Sequence, residues 1–319
     1  MAANAVTRLG FHLSNFTFPG AGEGDLFDRT LELANAAEQS GFDSLWLLDH
    51  FYQLEVVGLE DEPMLEPYTL LGAIGARTAS IKLGTLVTGV TYRNPAFLAK
   101  TLTTLDVLSK GRAILGIGAA WHEREHLAYG YDFPSTGERF DRLEETLEIC
   151  RAMFSASPAS FSGDHYAIRE ALNVPRPIQP NGPPILIGGN GPNRTLRCVA
   201  RYADACSLLG DMNAIKAALE TLKRHCEAEG RDYETITKTA LIGIIMEPTT
   251  EQAKTKLQEV MAGRSILRTP PISGNADEVA TRLNDYLEAG LDGLIITLRG
   301  DPDPESVTLA GKTLSRLFA

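Results

Sequence analysis

Two histidines stand four residues apart at His122-Glu123-Arg124-Glu125-His126, with acidic residues between them. On a helix that spacing puts both imidazoles on one face, within reach of one zinc ion, with Glu123 placed as a general base. The surrounding residues argue against that use. The motif follows a glycine-rich run, Gly116-Ile117-Gly118-Ala119-Ala120-Trp121, and is broken at Gly130. A zinc-binding pair of this kind needs the middle of an amphipathic helix, so no metal and no zinc hydrolase is expected. Another histidine lies in Asp49-His50-Phe51. His50 can act as acid, base or hydrogen-bond donor, or it can be a structural side chain bonded to Asp49 or the backbone.

Two glycine-containing loops add to these histidines. Thr88-Gly89-Val90-Thr91-Tyr92-Arg93-Asn94-Pro95 offers a glycine that permits unusual backbone and an asparagine suited to cap the next helix. An ordinary connecting loop is the other reading. Gly188-Gly189-Asn190-Gly191-Pro192-Asn193-Arg194 exposes amides just before a helix, which is an anion cradle, with Arg194 and Arg197 adding positive charge. A tight turn is the alternative there. It is no Walker loop, because no Gly-Lys-Ser/Thr follows. Gly116-x-Gly118 starts a dinucleotide fingerprint, but Trp121 stands where its third glycine belongs. Small residues before that tryptophan suggest a flat surface for a planar ring.

The elements that position these loops alternate between apolar β runs and amphipathic helical runs. Strands are expected at 9–13, 43–49, 81–89, 112–118, 183–189, 203–210, 238–246 and 291–298, each followed by helix. Eight such units make a (β/α)8 barrel, and near-continuous apolar strands such as LWLLD and ILGIG suit a buried parallel sheet. A doubly wound open sheet is the runner-up. The barrel places His50, the Thr88–Val90 turn, Gly118–Trp121 and Gly188–Gly191 at C-terminal strand ends, where barrel active sites lie. The segment 155–179 breaks the pattern and reads as an insertion with a hairpin around Gly163. The loops 52–67 and 264–275 read as lids.

Length and charge narrow the function. At 319 residues the chain is long enough for two domains, but the eight units run without a linker, giving one barrel over 1–319. Lys and Arg number 30 against 41 Asp and Glu, a net charge of −11, with no basic stripe for nucleic acid. The first residues are too short and polar for a signal peptide, and no run approaches the ~18 apolar residues of a membrane helix. Cys150, Cys198, Cys206 and Cys226 match no zinc or redox spacing and read as reduced thiols of a cytoplasmic protein.

Together, GFDSLWLLDHF (41–51), residues 83–130, ERFDRLEETLEICRAMF (138–154), PPILIGGNGPNRTLRCVARYADAC (183–206) and the closing NADEVATRLNDYLEAGLDGLIITL resemble the luciferase-like monooxygenase superfamily, in its deazaflavin (coenzyme F420)-dependent branch. The resemblance implies a homodimeric barrel with the deazaflavin ring at the mouth. It implies cofactor contacts from Asp49, Thr88, Gly89, Val90, Asn94, Gly118, Ala119, Ala120, Trp121 and His126, with Gly188, Gly189, Asn190 and Gly191 holding the phosphate. It further implies a non-prolyl cis peptide at the Thr88–Val90 turn. His50 becomes the catalytic candidate, as proton donor or cofactor-orienting group. The sugar-phosphate dehydrogenases of the branch carry a Trp four residues after the strand-two His and a Glu in the strand-four loop, where this chain reads Leu54 and Trp121. That departure, with the apolar loop residues Val56, Val57, Leu59, Met64 and Leu65, implies a hydrophobic acceptor other than glucose 6-phosphate. An FMN-dependent monooxygenase using oxygen and a non-catalytic cofactor-binding paralogue are the competing readings.

Overall fold

The computed structural model describes residues 5–262 and 269–319. Along the chain, β1 (Leu9–Leu13) leads to α1 (Leu26–Ser40), β2 (Ser44–Leu47) to α2 (Pro67–Gly75), and β3 (Lys82–Thr85) with β4 (Thr88–Gly89) to α3 (Pro95–Leu108). Then come β5 (Ala113–Gly118), α4 (Glu123–Ala128) and α5 (Thr136–Ser155). The hairpin β6 (Ala159–Ser162) and β7 (Ala167–Ala171) precedes β8 (Ile185–Gly188), α6 (Thr195–Tyr202), β9 (Ala205–Leu208) and α7 (Met212–Glu229). The chain closes with β10 (Thr237–Met246), α8 (Thr250–Ala262), β11 (Ile272–Gly274), α9 (Ala276–Glu288), β12 (Gly293–Leu298) and α10 (Pro304–Leu314).

Eight parallel strands close in the order β1-β2-β3-β5-β8-β9-β10-β12, with β12 pairing back to β1 at Leu9, Gly10 and Phe11. This is the (β/α)8 barrel expected from the strand count. Strand alternation divides the core in two. Leu45, Leu47, Leu115, Ile117, Ile185, Ile187 and their neighbours face the helices in one large outer cluster. Trp46, Leu86, Ile114, Leu186, Ala205 and Ile295 fill the lumen. Trp46 takes up so much of the lumen that a Cβ on Gly10 or Gly84 would lie 2.6 or 2.8 Å from its ring. Its indole N–H donates to Ser44 Oγ at 2.8 Å, so the buried polar edge is satisfied.

Two features depart from the sequence expectation. The run 81–89 is two strands, with a cis peptide at Leu86–Val87 between them, just before the turn where one was expected. β11 adds a short strand to β10, pairing Ile272 with Ile244, inside the segment read as a lid; residues 264–268 of that segment lie outside those described. The short α4 carries the His-Glu motif. The hairpin near Gly163 forms as expected, its turn held by Glu145, which accepts from the N–H groups of Asp164 (2.7 Å) and Tyr166 (2.8 Å). All four cysteines are buried and free. Among the described residues, no helix is long and apolar enough to cross a membrane.

Candidate active site at the barrel mouth

The C-terminal ends of the strands enclose a cavity of about 530 Å³. Asp49, His50, Thr88, Gly89, Gly118, Ala119, Ala120, Trp121, Gly188 and Gly189 line it. Val90, Asn94, His126, Asn190 and Gly191, named with them from the sequence, are not on its wall. Val90 is buried and donates to Gly118 O at 3.1 Å. Asn94 caps α3, accepting from Ala96 N and Phe97 N at 3.0 and 3.3 Å. Asn190 reaches Leu209, whose N–H donates to Asn190 Oδ1 at 2.8 Å and so ties the β8 loop to the β9 loop.

His50 follows β2 and meets a carboxylate that sequence distance hides. Its Nδ1 lies 2.6 Å from Glu125 Oε1, on α4. Glu125 is fully buried; Phe51 N–H donates to its Oε2 at 2.9 Å and the Tyr92 hydroxyl donates to Oε1. Burial would raise this carboxyl. The His50 hydrogen bond and charge, the Tyr92 hydroxyl and the Phe51 amide outweigh it and hold it at about 2, against 4.5. A carboxylate that stays ionised accepts only, so His50 carries its proton on Nδ1 and keeps Nε2 for chemistry. Trp121, 62% exposed at the rim, stands edge-on to the His50 ring with centroids 5.5 Å apart.

Asp49 is engaged elsewhere. Arg93 grips it with two hydrogen bonds of 2.6 and 2.8 Å, and Gly89 N–H donates to it at 3.0 Å. Arg93 also donates to Glu66, the cap of α2, at 2.7 Å. Asp49 therefore fixes the β4 turn against β2. Gly89 does not need a positive φ; the close approach is the ring of Tyr92, 2.8 Å from where a Cβ would stand. Thr88 Oγ1 bridges Tyr68 Oη and Thr85 Oγ1, each at 2.6 Å.

The two histidines of the His-Glu motif do not converge on a metal. His126 is buried, its Nε2 2.5 Å from Thr91 Oγ1 and its Nδ1 2.7 Å from His122 O. Burial lowers its pKa, so it stays neutral. The groups that approach one another are instead His50, His122 and Glu125, with Glu125 already bonded to His50.

At the other end of the cavity, Val87 seats on Gly118 and Gly188, whose Cβ atoms would each meet its methyls at 2.9 Å. Val87, Leu86, Ala119 and Ala120 give this part of the cavity an apolar lining. Ala120 has φ +59°, a conformation costing about 1–2 kcal/mol for an L-residue and concentrated at functional sites. Gly189 has φ +114°, which only glycine adopts readily, and beyond it Thr195 opens α6. Thr195, Gly188 and Gly189 all line the cavity, as does Arg139. The local charge expected from Arg194 and Arg197 is not available. Arg194 pairs with Asp141 and Glu144 at 2.7 and 2.9 Å, and Arg197 lies 3.5 Å from Glu229. Arg139, from α5, is the cation at this end, its guanidinium donating to Ala119 O at 3.1 Å. The Gly189 N–H is spent on Ser207 O at 2.9 Å, so what remains is an apolar floor ending at the Gly188–Gly189 turn beside the α6 N-terminus and Arg139, a lining that fits a planar ring with a phosphate-bearing tail.

The barrel fold agrees with the family comparison. The family model for luciferase-like monooxygenases matches residues 7–293, and the chain belongs to that family. It is similar to a relative named F420-dependent glucose-6-phosphate dehydrogenase from Kineococcus radiotolerans, 29% identical over 87% of this chain and 89% of the relative. Among solved structures it resembles an F420-dependent secondary alcohol dehydrogenase in complex with an F420–acetone adduct, with TM-score 0.81, 20% identity and coverage of 96% of this chain and 98% of that one. It also resembles the oxygenating component of 3,6-diketocamphane monooxygenase from Pseudomonas putida in complex with FMN, with TM-score 0.78, 20% identity and coverage of 98% and 99%.

Proposed function

We propose that this chain, an F420-dependent oxidoreductase by its family and relatives, transfers hydride between reduced F420 and a hydrophobic organic acceptor, with His50 handling the accompanying proton. The observation that carries this reading is the His50–Glu125 pair: one ring nitrogen is locked on a buried carboxylate at 2.6 Å while the ring lines the cavity. When bound, F420 supplies two-electron hydride chemistry.

The chain's own residues do the rest. Gly188, Gly189 and Thr195, with Arg139, would hold the phosphate, and Val87, Ala119 and Ala120 would support the ring. Glu125 is a positioning residue: it fixes the His50 tautomer and stabilises the imidazolium, so that Nε2 can give a proton to the acceptor or take one from it. Tyr92 and the Phe51 amide keep Glu125 in place. Leu54, Val56 and Leu241 give the acceptor side of the cavity an apolar wall that excludes water. Leu54 and Trp121 stand there instead of the Trp and Glu of the sugar-phosphate pattern, which supports an apolar acceptor.

An FMN monooxygenase is the second reading, supported by the shared fold with the FMN-bound structure. The full-length sequence relatives favour F420. The test is anaerobic single turnover: enzyme loaded with reduced F420 is mixed with a panel of quinones, enones, ketones and imines. Oxidation of the cofactor by at least one acceptor is expected. Tight binding with no oxidation by any of them would leave a non-catalytic cofactor-binding protein.

A further inference from the structure

One polar side chain on the wall of the main cavity has nothing to bond to. On β9, Ala205 belongs to the lumen cluster with Trp46, Leu86 and Ile295, so Ser207, two residues on, faces the same way one layer higher and lines the cavity. Ser207 is 2% exposed, and its Oγ is a buried oxygen without a hydrogen-bond partner among the described residues. Its backbone is engaged, since Gly189 N–H donates to Ser207 O at 2.9 Å. Thr239, its register partner on β10, turns its hydroxyl to Cys206 O at 2.7 Å instead. An orphaned buried hydroxyl is rare in a native structure and calls for a partner.

The place of Ser207 in the barrel says which occupant supplies that partner. Across β8 it stands in register with Gly188, the residue on which Val87 seats. In the closed strand order, β9 lies four strands from β2, on the opposite side of the barrel. β2 leads into His50, Leu54 and Val56, where the proton and the acceptor are handled. Ser207 therefore belongs to the cofactor side, across the mouth from the acceptor. We propose that the Ser207 hydroxyl donates to the carbonyl-bearing pyrimidinedione edge of the cofactor ring and favours its reduced form. A serine proton rotates to suit its acceptor, and no protein group competes for this one. The reduced ring carries more negative charge at that edge than the oxidised ring, and a hydrogen bond strengthens as its acceptor gains charge. Hydrogen bonds to the ring are among the means by which a protein tunes such a cofactor. The contact rests on the proposed function for the presence of the ring.

The probes are oxidised and reduced F420, titrated calorimetrically and without oxygen into the native protein, Ser207→Ala and Ser207→Thr. Ser207→Ala is expected to weaken the reduced form about tenfold more than the oxidised form, which lowers the two-electron potential of the bound cofactor by about 30 mV. Ser207→Thr keeps the hydroxyl, and its preference for the reduced form should stay within threefold of native. Equal weakening of both forms by Ser207→Ala overturns the proposal, because a contact to the tail or a change of shape would do that. Unchanged binding of both forms also overturns it, an ordered water then being the partner. If the native protein binds neither form of F420, the cofactor assignment fails by itself. The same titrations with oxidised and reduced FMN, whose ring has the same pyrimidinedione, then read Ser207 separately.

Discussion

Glu125→Gln removes one charge from the centre of the site and changes little volume. Glutamine still offers an oxygen to His50 Nδ1, but the bond is no longer charge-assisted, and its amide cannot accept from Phe51 N–H and Tyr92 Oη together. Hydrogen bonds to a charged group contribute about 1.5–3 kcal/mol, so kcat/KM should fall roughly 10- to 150-fold. If the interaction matters mainly as charge develops on His50, the loss should lie in kcat rather than KM. The assay is steady-state oxidation of reduced F420 by the best acceptor, with the variants His50→Ala, Glu125→Gln and the pair. Because Glu125 acts through His50, the double variant should be no slower than His50→Ala within about threefold. F420 affinity should stay unchanged in all three. Multiplicative losses in the double variant, or a parallel fall in cofactor affinity, would refute the positioning role.

Three further outcomes follow from the same geometry. Glu125 is held at about 2 against 4.5, so its ionised form stabilises the fold. A depressed carboxyl contributes fully above its unfolded value and loses its contribution as pH falls, so the urea-unfolding gap between native protein and Glu125→Gln should shrink from pH 6 to pH 2.5; a widening gap would contradict it. Arg93→Met strands the buried Asp49, and breaking a buried pair of this kind costs about 3–5 kcal/mol, so the melting temperature should drop by about 5–10 °C; an unchanged melt would show the pair to be idle. Gly189→Val forces a branched residue into φ +114°, and F420 affinity should fall more than it does on raising salt to 0.5 M; the reverse order would remove the glycine cradle as the main phosphate holder.

The barrel was legible because its strands are apolar runs and its helices amphipathic, both local signals. The inward parity of Gly10, Trp46 and Gly84 follows from the same alternation. β11 was not legible: Ile272–Gly274 forms only because β10 runs on to Met246 and offers an edge. The strand-end loops marked the right region, and ten of the fifteen residues chosen from them line the cavity. Glu125 was noticed only as part of a metal-like motif, since its partner His50 lies 75 positions away. The glycine loop misled on charge in the same manner. Arg194 and Arg197 stand beside it in sequence, but the acids that engage them belong to α5 and α7. Arg139, 50 residues upstream of Gly189, could have been found only from the way α5 lies over the mouth. Asn94 illustrates a residue whose local signal was complete: asparagine before proline reads as a helix cap, and it is one.

The mouth between His50 and Gly189 is proposed to hold a deazaflavin. The direct measurement is a paired equilibrium titration of the protein with F420 and with FMN, each followed by cofactor fluorescence, repeated on Gly189→Val. F420 is expected to bind at least tenfold more tightly than FMN, and the substitution to weaken it. FMN binding more tightly, with oxygen consumed on its reduction, would contradict it.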